Sequence, residues 1–208
     1  MRIYIIRHGE TETNTKGMLQ GRTDGRLNEN GRALAVVTGR AMKGIHFDAC
    51  ITSPLARAKE TVEIILRETA NEIPIAFDDR LQEISFGDQE NATLPELGDD
   101  GVRFMTDPFS MAPFPNGESV RDVCRRTQSF LKELIASDDG RTYLVGTHGC
   151  ALRAMLNFLY DDPSDYWQGR VPYNCAVNII DAEHGAARLT EKDKIYYDPS
   201  LAVDHYRQ

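Results

Sequence analysis

The chain has 208 residues, of which 41% are hydrophobic and 27% charged, and its formal net charge is −8 at pH 7. This length suits one domain around a single core, and the composition carries no signature of disorder. Nucleic-acid-binding proteins usually carry a basic surplus, so the acidic balance argues against a nucleic-acid partner. No apolar stretch approaches the ~20 residues of a membrane helix. We therefore expect one domain over 1–208, with neither a nucleic acid nor a membrane as its partner.

Cysteine usage and the start of the chain bear on location. Cysteine occurs at four scattered positions that form no CxxC pair, namely Cys50, Cys124, Cys150 and Cys175. The chain begins directly in a predicted strand at Arg2, which leaves no room for a signal peptide. Unpaired cysteines are typical of reducing compartments. We expect a cytoplasmic protein.

Predicted strands and helices alternate along the chain. Short runs of β-branched, aromatic and other apolar residues predict strands at 2–6, 48–52, 75–77, 142–146, 175–180 and 187–190. Apolar residues at helical spacing predict helices at 28–43, 53–69 and 118–137, and a further one after the fourth strand, through 159. Asn28 is the predicted N-cap of the first helix, and Ser53-Pro54 supply a cap and a first-turn proline for the second. This alternation favours an α/β fold with a mainly parallel sheet flanked by helices.

The segment 84–116 departs from this alternation. It is rich in glycine and proline and offers only short helical stretches. A disordered loop is the simpler alternative, but the segment also holds bulky apolar residues that need burial: Phe86, Phe104, Met105, Phe109, Met111 and Phe114. We interpret it as a cap or lid over one edge of the sheet.

Three predicted strands are followed by residues that suit anion binding. The first ends at Arg7-His8, the second is followed by Arg57, and a later one by His148. Ligand sites of open parallel sheets lie outside the carboxyl ends of the strands, so these four side chains are expected to converge. Guanidinium groups match phosphate oxygens bidentately, which makes phosphate the expected ligand. The remaining histidines are interpreted as solvated bystanders: His46, His184 and His205.

Six segments carry a family resemblance: RHGETETN at 7–14, GRTDGRLNENGRALA at 21–35, TSPLARAKET at 52–61, LQEISFG at 81–87, PNGES at 115–119 and VGTHGCALRAM at 145–155. With these segments, nearly the whole chain resembles the histidine phosphatase superfamily, the phosphoglycerate mutase-like group. The resemblance implies a phosphoglycerate mutase-like fold. It also implies a reaction that needs neither a metal nor a cofactor.

The resemblance also implies a role for individual residues. His8 would be the nucleophile that forms a phosphohistidine, and Glu83 would be the proton donor. The phosphoryl oxygens would be bound by Arg7, Arg57 and His148. The phosphate pocket would be completed by Asn14, Gln20 and Gly21.

Elementary chemistry is consistent with these roles. Attack on phosphorus needs a neutral imidazole, and flanking guanidinium groups disfavour the imidazolium form of His8. The same cations stabilise charge on the transferring oxygens. A bound phosphate dianion favours the protonated form of Glu83 by like-charge repulsion, and its carboxylate can later deprotonate the attacking water.

Other phosphate chemistries find less support in the sequence. There is no Cys-x5-Arg, no Gly-Lys pair of a P-loop and no DxD pair. A metal site built from His8, His148 and a carboxylate stays open as an alternative.

The choice between a phosphatase and a mutase depends on the lid. Phosphatase-type relatives often read x-Trp-Glu-Gly where this chain has Asp88-Gln89-Glu90-Asn91, which lacks the aromatic residue. Mutases carry several basic residues here, whereas 84–116 has Arg103 alone against six acids: Asp88, Glu90, Glu96, Asp99, Asp100 and Asp107. Such a lid should repel a multiply anionic sugar acid. We predict a phosphatase for a small phosphorylated metabolite.

Three questions stay open at this point. A mutase is the second choice, and a phosphate-binding module without turnover is disfavoured because His8 and Glu83 are both present. The aromatic and methionine side chains of the lid suit an apolar leaving group, but we prefer to interpret them as the lid's own core. The oligomeric state is undetermined, with a homodimer among the options.

Overall fold

Residues 2–7 and 142–147 form the two central strands of a six-stranded sheet, and all but the first residue of each strand are buried. In this computed structural model, which describes residues 1–203 and 206, six strands form one sheet in the order β3-β2-β4-β1-β5-β6. The strands are β1 (Arg2–Arg7), β2 (Ala49–Thr52), β3 (Ile75–Phe77), β4 (Thr142–Thr147), β5 (Val177–Glu183) and β6 (Ala186–Lys194). The first four strands pair in parallel, whereas β5 and β6 are antiparallel. The predicted mainly parallel α/β sheet is confirmed.

Helices cover both faces of this sheet. The α-helices are α1 (Glu12–Thr15), α2 (Glu29–Ala41), α3 (Ala56–Glu68), α4 (Asp99–Thr106), α5 (Val120–Ser137) and α6 (Gly149–Leu156). Alternate residues of β1 point to opposite faces: Tyr4 and Ile6 pack with α2 and α3, whereas Ile3 and Ile5 pack with α5 and α6. No helix in the described part of the chain is long and apolar enough to cross a membrane.

One predicted helix start is wrong. The helix predicted from Ser53 begins instead at Ala56, and its N-cap position is Leu55, which makes no capping side-chain bond. The Ser53 hydroxyl lies two residues before that position, where it accepts from the Leu55 N–H at 3.3 Å and lies 2.8 Å from the imidazole of His148. Ser53 therefore holds the turn before the helix and contacts the site at the same time.

Apolar side chains of the segment 84–116 pack into a cluster that is separate from those on the two faces of the sheet. Phe86 and Phe104 are buried, and their rings meet edge to face with centroids 5.5 Å apart. Trp167 continues the cluster, with its ring 5.5 Å from Phe104 and its indole N–H donating to the Phe104 carbonyl. The segment is thereby fixed over the carboxyl ends of the strands, next to α6.

Candidate active site

The parallel pairing of β1 with β4 brings the two predicted histidines together. Arg7 pairs with Thr147 in register, and the His8 N–H donates to the Thr147 carbonyl. The next residue of each strand end is therefore a histidine, and the ring centroids of His8 and His148 are 5.2 Å apart. The predicted convergence of these strand ends is present.

The turn after His8 is held by a close backbone approach. A Cβ atom on Gly9 would lie 2.6 Å from the carbonyl oxygen of Gly31, so a side chain does not fit there. The Gly9 N–H donates to the hydroxyl of Thr61, which in turn donates to the carbonyl of Arg57. This chain of hydrogen bonds ties the turn after His8 to the helix that carries Arg57.

His8 is held as a neutral imidazole with one ring nitrogen free. Its Nδ1 lies 2.7 Å from the Gly9 carbonyl oxygen, which accepts a hydrogen bond and so places the proton on Nδ1. The lone pair is left on Nε2. Burial, together with the charges of Arg57 and Arg7, lowers the pKa of His8 well below its ordinary value.

His148 is oriented as a neutral hydrogen-bond donor. Its Nε2 faces the Ser53 hydroxyl, and the Leu55 N–H also donates to that oxygen. The hydroxyl proton can then point to Nε2, which puts the imidazole proton on Nδ1. Burial and the charge of Arg57 lower the pKa of His148 well below its ordinary value. Its Nδ1 is buried and has no partner among the described residues.

Both predicted arginines are anchored by carbonyl oxygens. Arg7 donates to the Pro172 carbonyl, and Arg57 donates to the carbonyls of Gly21 and Thr23. Within the described chain neither guanidinium forms an ion pair with a carboxylate. Burial lowers the pKa of Arg57 to about 10.

Buried donors therefore converge without partners. In the described part of the chain, the Nε atoms of Arg7 and Arg57 and the Nδ1 of His148 make no hydrogen bond. Buried polar groups in folded proteins almost always have partners, and exceptions point to a missing ligand. Two cationic donors and one neutral donor beside a nucleophilic nitrogen fit the oxygens of a phosphoryl group.

The other predicted pocket residues, Asn14, Gln20 and Gly21, form hydrogen bonds with neighbouring protein residues. Asn14 accepts hydrogen bonds from the Thr11 N–H and from the amide of Asn174, and Gln20 accepts one from the Thr11 hydroxyl. Gly21 contributes its carbonyl oxygen to Arg57 rather than its N–H to the pocket.

Glu83 lies against the first turn of α6. Its Oε1 accepts from the N–H groups of Ile84 and Ala151 at 2.9 and 2.8 Å, and its Oε2 accepts from Cys150 at 3.0 Å. These amides fix the carboxyl group beside Arg7, in the wall of the same cavity. Oε2, with one amide contact, is the oxygen better placed to exchange a proton.

Several residues of this site escaped the sequence reasoning. Arg126 and Arg22 both donate to the Glu83 carbonyl, and Glu118 accepts from both arginines. Asn174 donates to the carbonyl of His8 and so links it to Asn14. The PNGES segment contained Glu118, but no feature of the sequence assigned it a partner.

Glu90 has a role that its position in the acidic lid concealed. Its carboxylate accepts from the backbone N–H groups of Gly21, Arg22, Thr23 and Phe86. Burial opposes ionisation, but these hydrogen bonds outweigh it and hold the pKa of Glu90 below its ordinary value. Glu90 thus folds the loop whose carbonyls anchor Arg57, and it does not belong to the lid's outer charge.

The remaining predicted histidines and the metal alternative can be located as well. His46 and His184 are exposed and lie away from this site, whereas His205 lies outside the described residues. Among residues 1–203 and 206, no three His, Cys, Asp or Glu side chains are grouped closely enough to hold a metal ion.

A neutral histidine nitrogen among guanidinium donors, with a carboxyl group beside it, is the arrangement of an enzyme that transfers phosphoryl groups through histidine. Residues 3–193 match the family model of the histidine phosphatase superfamily (branch 1). The chain belongs to that superfamily, and the resemblance stated from its motifs is confirmed.

Individual relatives fall on both sides of the phosphatase–mutase division. The chain is 34% identical to 2,3-bisphosphoglycerate-dependent phosphoglycerate mutase of Cytophaga hutchinsonii, over 91% of this chain and 86% of the relative. It is 32% identical to the uncharacterized phosphatase PhoE of Bacillus subtilis, over 87% and 89%. The solved structure of Bacillus stearothermophilus YhfR superposes with a TM-score of 0.85 at 31% identity, covering 99% of each chain.

Proposed function

We propose that this enzyme hydrolyses a small phosphomonoester in two steps through a phosphohistidine on His8. The observation that carries the proposal is the set of buried donors on Arg7, Arg57 and His148, which surround a neutral imidazole and lack partners. Their charge and geometry suit a phosphoryl group. A small phosphorylated metabolite is the proposed substrate.

In the first step the substrate's phosphoryl group moves to the enzyme. The Nε2 lone pair of His8 attacks phosphorus, a P–N bond forms and the bond from phosphorus to the alcohol oxygen breaks. Glu83 gives its proton to the departing alkoxide, because a dianionic phosphate beside it favours the protonated carboxyl beforehand. The guanidinium groups stabilise the charge on the three equatorial oxygens.

In the second step the phosphoryl group moves from His8 to water. The carboxylate of Glu83 accepts a proton from water, whose oxygen attacks phosphorus while the P–N bond breaks. Inorganic phosphate leaves and both residues return to their starting protonation states. No divalent ion is needed to generate the nucleophile, so a metal-independent reaction is proposed.

The lid supports a phosphatase over a mutase. The names of relatives do not decide, since identities to a mutase and to a phosphatase are 34% and 32%. A mutase must bind a second anionic group, yet Arg103 is exposed and Arg7 is the lone cation among the described residues that line the cavity. Five lid acids besides Glu90 remain exposed toward solvent, where they repel polyanions: Asp88, Glu96, Asp99, Asp100 and Asp107.

A cytoplasmic location is also proposed for this protein. The four cysteines are free, which supports the cytoplasmic location expected from their spacing. The oligomeric state is still open, with a homodimer among the options, and size-exclusion chromatography with light scattering would measure it.

A comparison of two reactions tests the proposed function. Phosphate release from a panel of phosphomonoesters should proceed and should survive EDTA. Conversion of 3-phosphoglycerate to its 2-isomer, measured with 2,3-bisphosphoglycerate present, should be slower than the best hydrolysis. Faster isomerisation than any hydrolysis would establish a mutase, and activity abolished by EDTA and restored by zinc or magnesium would establish a metal site.

A further inference from the structure

The cavity next to the phosphate pocket is walled mainly by apolar side chains. It begins at Arg7 and Glu83 and is partly open toward solvent. Its apolar lining comes from the Gln20 loop, the lid and the segment after α6: Leu19, Phe86, Leu94, Phe104, Met105, Trp167 and Val171. A substrate whose phosphoryl group contacts Arg7 and whose leaving oxygen contacts Glu83 must place its alcohol portion in this space.

The cavity offers little to a polar alcohol. Besides Arg7 and Glu83, which the phosphoryl transfer uses, Gln20 and Tyr206 are the polar side chains among the described lining residues. The Gln20 side-chain oxygen accepts from Thr11 and the Tyr206 hydroxyl donates to the Met18 carbonyl, so the Gln20 amide N–H groups are the donors that these two side chains leave for an alcohol. A sugar or a glycerate would leave several hydroxyl or carboxylate groups without partners, at a cost for each.

The walls of the cavity are fixed by the fold. The aromatic walls pack edge to face, with ring centroids 5.5 Å apart for both Phe86–Phe104 and Phe104–Trp167. The Trp167 indole donates to the Phe104 carbonyl, which fixes the lid helix α4 against the segment after α6. The lid side chains therefore form a core and a cavity wall at once.

The cavity continues outward into a wider groove. Leu94, Met105 and Tyr206 line both the inner cavity and the outer groove, which runs between α4 and the Lys16-Gly17 turn. An alcohol longer than the inner cavity would pass between these three residues. Met105 is half-buried at this junction.

From this cavity we infer that the enzyme's substrates are phosphomonoesters of apolar alcohols, alkyl or aromatic, without a second charged group. The inference depends on the proposed phosphatase function and adds the class of leaving group. The apolar portion is buried against Phe86, Phe104 and Trp167 while Glu83 protonates its oxygen.

A series of n-alkyl phosphates tests this inference, because their leaving groups have nearly the same acidity and differ in apolar area. From methyl to propyl to hexyl phosphate, kcat/KM should rise by about two- to fourfold for each methylene that enters the cavity. Propyl phosphate should exceed glycerol 3-phosphate, which has the same carbon count, by roughly tenfold or more, since two added hydroxyls lack partners.

Substitution of Met105 locates the effect. Met105→Gln keeps the side-chain length but adds an amide, and it should lower kcat/KM for hexyl phosphate about tenfold relative to methyl phosphate. Met105→Leu should keep the chain-length dependence. Val37→Gln, the matched apolar-to-glutamine change on the exposed face of α2, should leave the whole series unchanged.

The outcomes separate the two claims. Hydrolysis of glycerol 3-phosphate or 3-phosphoglycerate that matches or exceeds propyl phosphate would overturn the inference and leave the phosphatase intact. A series that rises with length but is unaffected by Met105→Gln would place the alcohol outside this cavity and would also overturn it. No phosphate release from any monoester would overturn the phosphatase proposal and the inference with it.

Discussion

The phosphate pocket and the apolar cavity next to it meet at Glu83, but different interactions hold their residues in place. In the pocket, Arg7 and Arg57 are buried cations whose positions are fixed by carbonyl oxygens, so their charge is left for a ligand. In the cavity, the rings of Phe104 and Trp167 supply shape and apolar surface, and the hydrogen bond between these residues fixes the wall and is not directed at a ligand. The proposed reaction chemistry therefore depends on hydrogen-bonded motifs, whereas the inferred substrate choice depends on the packing of a segment without a motif.

The largest expected effect comes from the residue shared by both regions. Glu83→Gln keeps the shape of the side chain but removes its acid. For an alkyl phosphate we expect a loss of roughly 10²–10⁴ in kcat, the usual contribution of general acid catalysis. For nitrophenyl phosphate, whose leaving group is stable as an anion, the loss in the first step should be clearly smaller. Single-turnover kinetics on both substrates measures it, and equal losses would show that Glu83 does not protonate the leaving group.

A smaller effect is expected from Ser53, which supports the pocket from behind. Ser53→Ala removes the hydrogen bond to Nε2 of His148 and releases the imidazole to adopt its other tautomer. We expect a decrease in kcat/KM on the order of 10-fold, as for loss of one buried hydrogen bond. Nitrogen-15 NMR of the imidazole should show the proton on Nδ1 in the native protein and a mixture in the variant.

Ser53→Thr, which retains a hydroxyl, is the matched control and should restore most of the Nδ1 tautomer. If Ser53→Ala left the tautomer unchanged, Ser53 would be a packing residue and the donor role of His148 would need another explanation.

The smallest expected effect is on stability, and it arises from the two histidines that are buried in the pocket. Burial and neighbouring guanidiniums lower the pKa values of His8 and His148, whereas an unfolded imidazole titrates near about 6.5. Below that pH the unfolded chain binds protons that the native protein excludes. The contribution of these two neutral histidines to stability is therefore fully present above about pH 6.5 and is lost as the pH falls below that value.

Urea unfolding at pH 7.5 and 5.5 in phosphate-free buffer measures this loss. Each histidine should lower the free energy of unfolding between these values, by at most about 1.4 kcal/mol, the limit set by the unfolded imidazole. His148→Gln should remove about half of the pH-dependent difference that the two histidines contribute. An unchanged difference in that variant would mean that His148 is charged in the native protein.

The sequence predicted the pocket better than its supports. His8 and His148 could be brought together because parallel strands end at one edge of a sheet. The contact between Ser53 and His148 could not be predicted, because the two residues are 95 positions apart. Glu90 and Glu118 accept largely from backbone N–H groups and arginines of distant segments, and no local pattern encodes such contacts.

The lid shows the same limit in another form. Its composition indicated burial of Phe86 and Phe104 and favoured a packed lid over a disordered loop. It did not indicate that one wall of their cluster faces Glu83, because that depends on where Trp167, from a segment after α6, packs. Composition predicts that side chains are buried, but only the tertiary arrangement determines whether they enclose a cavity.

Trapping of the covalent intermediate tests the central claim most directly. The enzyme is mixed with a monoester carrying labelled phosphorus, quenched in alkali within milliseconds and digested for mass spectrometry. We predict label on His8 that is stable in alkali and lost in acid, absent in His8→Ala, and weaker but still on His8 in His148→Ala. Phosphate release without any label on His8, or an undiminished label in His8→Ala, would contradict the account.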